Sequence, residues 1–169
     1  MTKFLILGGA RSGKSACAQA LAEAASPHRL FVATAEALDA EMTDRIKRHQ
    51  ADRGEGWRTI EAPLDLVSVI QGEINPGESV LIDCLTLWLS NLFHHNRDIE
   101  QDTLALCNAL QSSQAQIALV SNEIGLGLVP ETSLGRAFRD AQGRLNQKVA
   151  AVCDQVDFVA AGLPLRLKG

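Results

Sequence analysis

Eight residues constrain this chain more than any others: Gly8-Gly9-Ala10-Arg11-Ser12-Gly13-Lys14-Ser15. They satisfy the pattern G-x-x-x-x-G-K-[ST] of a phosphate-binding loop. The apolar run Lys3-Phe-Leu-Ile-Leu7 precedes them and reads as a buried strand. Lys14 to Ala25, rich in alanine, follows and reads as a helix. A glycine loop between strand and helix turns its backbone N–H groups toward an anion, and the helix N-terminus adds partial positive charge. In this pattern Lys14 reaches the β- and γ-phosphates, and the Ser15 hydroxyl reaches Mg²⁺. The competing reading, a glycine turn with no ligand, does not explain why the strand and helix stand where the mechanism needs them.

The rest of the chain repeats short apolar runs between longer amphipathic ones. Strands are predicted at Arg29–Ala33, Trp57–Glu61, Ser79–Asp83, Ile117–Ser121 and Asp157–Ala161, with a closing edge strand at Pro164–Lys168. Helices are predicted over Asp39–Arg53, Leu64–Ile74, Leu85–Phe93, Glu100–Ser112 and Ser133–Val152. Buried strands separated by helices give an α/β fold with a mostly parallel central sheet. At 169 residues, with no repeat and no linker-like stretch, residues 1–169 are expected to form a single nucleotide-binding domain. The formal charge is −4 without a basic run, which argues against nucleic acid as a partner. No apolar window approaches the roughly 18 residues of a membrane span. Cys17, Cys84, Cys107 and Cys153 form neither a C-x-x-C pair nor a zinc spacing. Free thiols and the lack of a signal-like segment fit the cytoplasm.

Three further features carry chemistry. Asp83 ends the apolar run Val80-Leu-Ile, where a second metal-holding acid is expected behind a phosphate loop. On the helix Asp39–Arg53, the residues Arg45, His49 and Arg53 recur at i, i+4, i+8, so an imidazole lies between two guanidinium groups. The two cations favour the neutral, nucleophilic imidazole and would hold a triphosphate under attack. Taken alone, such a stripe is more often an ordinary solvated, mixed-charge helix face with an incidental histidine. The segment Ser121–Glu131 leaves a core strand at the sheet end where α/β folds bind ligands, and Gly125 and Gly127 suit a close approach. It is otherwise a glycine-containing connector. His28, His94 and His95 read as surface residues. Arg136, Arg139, Asn146 and Gln147 on the following helix suggest no chemistry from spacing.

Together these motifs resemble the bifunctional adenosylcobinamide kinase / adenosylcobinamide-phosphate guanylyltransferase family of cobalamin biosynthesis. The likeness rests on Gly8–Ser15, Ala33-Thr34, Asp39-Ala-Glu-Met42, Arg45-Ile46, His49, Arg53, Trp57-Arg-Thr59, Glu61 and Asp83. It continues through Asn122-Glu-Ile-Gly-Leu-Gly-Leu-Val-Pro-Glu131, Phe138-Arg-Asp140 and Gly143-Arg-Leu-Asn-Gln147. Asp83 and Ser121 stand where some relatives carry Glu and Thr. The resemblance implies a P-loop NTPase-like, three-layer fold of the RecA-like kind. It also implies two reactions: phosphorylation of adenosylcobinamide by ATP or GTP, then transfer of GMP from GTP through a guanylyl-histidine to give adenosyl-GDP-cobinamide. His49 matches the histidine that carries GMP. Nucleotide contacts are implied at Gly8–Ser15, at Thr34, Ala35 and Glu36, at Gln50, Ala51, Asp52 and Arg53, and at Glu61 and Asp83. Mg²⁺ is expected at Ser15 and Asp83, and a homotrimer is expected by the same resemblance. The alternatives are a monofunctional small-molecule kinase, in which His49 is an ordinary helix residue, and a non-catalytic nucleotide-binding module.

Overall fold

A computed structural model describes residues 1–36 and 54–169. The predicted helix Asp39–Arg53, with Arg45, His49, Gln50, Ala51, Asp52 and Arg53, lies outside the described residues.

The described chain runs β1 (Lys3–Gly8), α1 (Lys14–Ala25), β2 (Arg29–Ala33), β3 (Trp57–Glu61), α2 (Leu66–Gly72), β4 (Ser79–Asp83) and α3 (Leu85–His94). It continues through α4 (Ile99–Ser112), β5 (Gln116–Asn122), α5 (Ser133–Val152), β6 (Gln155–Ala160) and β7 (Leu163–Lys168). The strands form one seven-stranded sheet in the order β3-β2-β4-β5-β1-β6-β7. Every neighbouring pair is parallel except β6–β7. The strand bearing the phosphate loop is thus central, and β5 separates it from the strand that ends at Asp83.

Alternation along each strand builds two cores, because successive side chains face opposite sides of a sheet. Leu5, Leu7, Leu30, Val32, Val80, Ile82, Ile117 and Leu119 face one side. There they meet Leu66 and Ile70 of α2, Trp88 and Leu92 of α3, Leu106 and Leu110 of α4, and Leu145 and Val149 of α5. Phe4, Ile6, Phe31, Leu81, Ala118 and Val120 face the other, against Ala18 and Ala22 of α1. Ala18 and Ala22 are small, which lets that helix pack close to the strands.

Most predicted elements form with boundaries moved by one or two residues, as expected where helix ends fray. One difference has a local cause. The predicted strand Asp157–Ala161 begins at Gln155 and stops at Ala160, because Ala161 (φ 52°) and Gly162 (φ 79°) make the two-residue hairpin turn into β7. Two positive φ values in succession give the turn whose twist matches paired antiparallel strands. Among the described residues, no helix is long and apolar enough to cross a membrane.

Candidate active site

The phosphate loop is built as its sequence requires. Gly8 ends β1 and is in register with Asn122 of β5 and Val159 of β6. A Cβ at Gly8 would lie 2.5 Å from the Val159 carbonyl oxygen and 2.5 Å from Ser12 Oγ, so only glycine fits between the loop and β6. Arg11 (φ 55°) and Gly13 (φ 97°) supply the left-handed turns that bring the chain back over itself. Gly13 caps α1, whose first turn carries no acidic side chain to compete with a bound anion. Lys14 is buried, and its Nζ donates to the Gly9 carbonyl oxygen at 2.9 Å, so the ammonium sits inside the loop it serves. Ala10, Arg11, Gly13 and Ser15 are exposed, while Gly9 and Ser12 are half-buried. The hairpin turn between β6 and β7 supports the loop from below, where the Gly162 N–H donates to the Ser12 carbonyl oxygen at 2.8 Å.

The other expected residues gather at the same sheet end. Ala33, Asp83 and Glu61 stand in register across β2, β4 and β3. Asp83 is likewise in register with Val120, and Val120 with Ile6. At about 4.8 Å per strand, Asp83 lies about 10 Å from the phosphate-loop strand, and Glu61 about 19 Å from it. Asp83 is half-buried at the end of β4, and Glu61 is exposed. These residues thus lie along the carboxyl ends of the parallel strands, the side on which open α/β sheets take ligands.

Thr34 has a different setting from its neighbours. It is fully buried, and its hydroxyl donates to the Cys84 carbonyl oxygen (2.8 Å) while accepting from the Cys84 N–H (2.7 Å). Asn91 of α3 donates through Nδ2 to the carbonyl oxygens of Thr34 (2.7 Å) and Pro63 (2.9 Å). Thr34 therefore clips the end of β2 to the turn after Asp83, whose Asp83–Cys84 peptide is cis. Ala35 and Glu36 are the more accessible members of that segment. Glu36 Oε1 lies 2.9 Å from His95 Nε2. His95 is exposed as expected, but it is tied to Glu36, one of the residues expected at the site, through a contact that separation in sequence conceals.

The sequence also did not reveal what holds the end of β5. Ser121 Oγ donates to Asn146 Oδ1 (2.7 Å), and Gln142 Nε2 donates to both Ser121 Oγ and Asn146 Oδ1 (3.0 Å each). Asn146 Nδ2 donates to the Asn122 carbonyl oxygen (3.1 Å). Ser121, Gln142 and Asn146 are all buried. Buried polar groups that hydrogen-bond one another fix position tightly. The Asn122 N–H donates to Thr86 Oγ1 (2.9 Å), and the Glu123 N–H to the Gly8 carbonyl oxygen (3.0 Å). Beyond Glu123, the side chains of Leu126 and Leu128 are 82% and 97% exposed, so this loop presents an apolar surface beside the phosphate loop.

Ser15 and Asp83 offer a hydroxyl and a carboxylate, the hard oxygen donors that Mg²⁺ takes alongside phosphate oxygens and water. The described residues contain no cluster of three or more His, Cys, Asp or Glu side chains able to hold a metal alone.

Residues 4–167 match the family model described as cobinamide kinase / cobinamide phosphate guanyltransferase. The chain belongs to this family. It is similar to the bifunctional adenosylcobalamin biosynthesis protein CobP of Pseudomonas aeruginosa, at 46% identity over 98% of this chain and 96% of that one. It is 40% identical to the bifunctional adenosylcobalamin biosynthesis protein CobU of Escherichia coli, over 98% of this chain and 99% of the relative. Its namesake in Salmonella typhimurium is 38% identical over the same shares. At the level of fold the chain is similar to the P4 protein from bacteriophage phi6 in complex with ADP, with a TM-score of 0.48 and 16% identity. That match covers 96% of this chain and 52% of the phage protein. The chain is a bifunctional transferase of cobalamin biosynthesis, a cobinamide kinase and cobinamide phosphate guanylyltransferase. Membership extends over nearly the whole chain, which the monofunctional-kinase and binding-module alternatives do not explain.

Proposed function

We propose that both reactions use the sheet end formed by Gly8–Ser15, Ala35, Glu36, Glu61 and Asp83, and that His49 carries GMP between them. The observation that supports this most directly is the phosphate loop, with Lys14 folded into it and Asp83 two strands away. In the kinase step the loop N–H groups and Lys14 hold the triphosphate of ATP or GTP and offset the charge that develops on its γ-phosphoryl group. An adenosylcobinamide hydroxyl attacks the γ-phosphorus, and the nucleoside diphosphate leaves. In the second step the His49 imidazole attacks the α-phosphorus of GTP, and pyrophosphate leaves. The phosphate of adenosylcobinamide phosphate then takes GMP from His49, giving adenosyl-GDP-cobinamide and free histidine. A phosphorus–nitrogen bond is a good donor because the imidazole leaves readily. Arg53 and its neighbours Gln50, Ala51 and Asp52 are assigned to the same nucleotide, and Thr34 acts by holding the turn at Asp83–Cys84. Mg²⁺, when bound through Ser15 and Asp83, neutralises phosphate charge.

The chain is assigned to the cytoplasm and to a homotrimer. Exposed Leu163, Leu165 and Leu167 on the edge strand β7 support assembly, because an uncovered apolar edge is a liability. The test of the site is covalent labelling with [α-³²P]GTP and Mg²⁺. The wild-type protein acquires an acid-labile, base-stable label, whereas His49→Ala acquires none and retains kinase turnover. Equal labelling of His49→Ala removes the histidine assignment.

A further inference from the structure

We infer that Glu123 is the general base of the kinase half-reaction, taking the proton from the acceptor hydroxyl as that oxygen attacks the γ-phosphorus. The inference rests on the reading of the site given above.

Glu123 is the first residue beyond β5, the strand that lies between the phosphate-loop strand and the strand ending at Asp83. Its N–H donates to the carbonyl oxygen of Gly8, the first residue of the loop, at 3.0 Å. The preceding two residues are anchored by the buried Ser121–Gln142–Asn146 network and by Thr86. The backbone of Glu123 is therefore held against the loop from two sides. Its side chain is held as well. Oε1 accepts the Gly125 N–H at 2.5 Å, and a Cβ at Gly125 would come within 2.8 Å of that oxygen, so glycine leaves room for the carboxylate. Oε2 accepts no hydrogen bond from a described residue, which leaves it available to an acceptor hydroxyl.

The other described acids at strand ends are less suited. Glu61 lies four strand spacings from β1, about 19 Å, too far for a proton transfer at the γ-phosphate. Glu36 faces His95, and Asp83 is assigned to the metal.

The two reactions differ in a way that isolates such a base. The kinase acceptor is an alcohol and must lose a proton: the O–H bond breaks, the new O–P bond forms, and the bond from γ-phosphorus to the diphosphate breaks. Glu123 ends protonated and releases that proton to water. The guanylyl acceptor is a phosphate monoester, whose second ionisation lies near pH 6. At pH 8 it is already a dianion and needs no base. Glu123 should therefore matter in one reaction and not in the other.

The experiment compares full-length wild type, Glu123→Gln and Gly125→Ala at pH 8. Three quantities are measured: NTP-dependent phosphorylation of adenosylcobinamide, affinity for a fluorescent nucleotide, and GMP transfer from GTP to supplied adenosylcobinamide phosphate. Glu123→Gln should lower kinase kcat by about 100-fold or more, with acceptor KM, nucleotide affinity and GMP transfer within about threefold of wild type. Gly125→Ala, which only displaces the carboxylate, should lower kinase kcat by about tenfold with the same selectivity. Kinase kcat within threefold of wild type in Glu123→Gln overturns the assignment. So does a parallel loss of both activities, which would mean that Glu123 acts through the loop or the metal. A wild-type protein with neither activity overturns the functional reading itself, and this assignment with it.

Discussion

Replacing Gly8 by alanine tests whether the sheet sets the shape of the phosphate loop. The new Cβ would meet the Val159 carbonyl oxygen and Ser12 Oγ, both at 2.5 Å. An ordinary carbon–oxygen contact is about 3.3 Å, so relief requires a shift of about 0.8 Å. Ser12 can turn its hydroxyl aside. Val159 cannot move independently, because it lies in the β1–β6 ladder opposite Gly8 and belongs to the core under α1. Gly8 must therefore back away from β6, carrying the loop and the hydrogen bond to Glu123 with it. Overpacking of this kind costs about 1–3 kcal/mol of stability. That corresponds to a fall in melting temperature of about 3–10 °C for a domain of this size. Misplacing the cradle by nearly 1 Å should cost about 100-fold in kinase kcat/KM. Thermal melts, nucleotide titration and steady-state kinetics on the same preparation measure the three effects. If Gly8→Ala binds nucleotide within threefold of wild type and melts at the same temperature, contact with β6 does not shape the loop.

Two further predictions concern stability. Glu78 is buried and held by Arg58 and by the N–H and side chain of Asn75; the Arg58 hydrogen bond is the largest cause that lowers its carboxyl from an ordinary 4.5 to about 2. This pairing stabilises the fold fully above about pH 4.5, where the unfolded carboxyl is also ionised, and is lost as pH falls toward about 2. The full shift corresponds to about 3 kcal/mol, and the 35% exposure of Arg58 screens this to about 1–2 kcal/mol. Glu78→Gln should therefore be less stable than wild type by that amount in urea at pH 7, with the difference shrinking between pH 4.5 and pH 2. A difference independent of pH contradicts the pairing. Gly143 lies inside α5 with open space where a Cβ would stand. Gly143→Ala should raise stability by about 0.5–1 kcal/mol in the same assay, and a destabilised variant would reveal packing against that face.

The sheet and the phosphate loop were legible because both depend on short-range patterns. The unbroken apolar runs Phe4–Leu7 and Ile117–Val120 record strands buried on both faces, and Gly8–Ser15 records a backbone that only glycines at set positions allow. Helix α5 forms over the full predicted length, Ser133–Val152, and the structure adds the cap, Thr132, whose side chain accepts the Gly135 N–H. Thr34 shows the limit of such reading. The resemblance counts it among the nucleotide contacts, and what no local pattern shows is that its hydroxyl also binds the Cys84 backbone fifty residues away. His95 and Glu36, 59 residues apart, meet for the same kind of reason.

The sequence by itself determined that this protein holds a nucleotide and which family's chemistry it performs, because the motifs are contiguous and their residue types are dictated locally. Tertiary structure alone decided the order of the strands, and with it which side chains share the sheet end. Asn146 and Gln142 lie on α5, yet they anchor β5, because a helix returning across the sheet brings them there. Glu123 lies in a segment that the sequence already marks, but only the parallel pairing of β1 with β5 sets it against Gly8. Long-range pairing obeys no spacing rule along the chain. It follows from which faces must be buried together, and only the folded sheet expresses that.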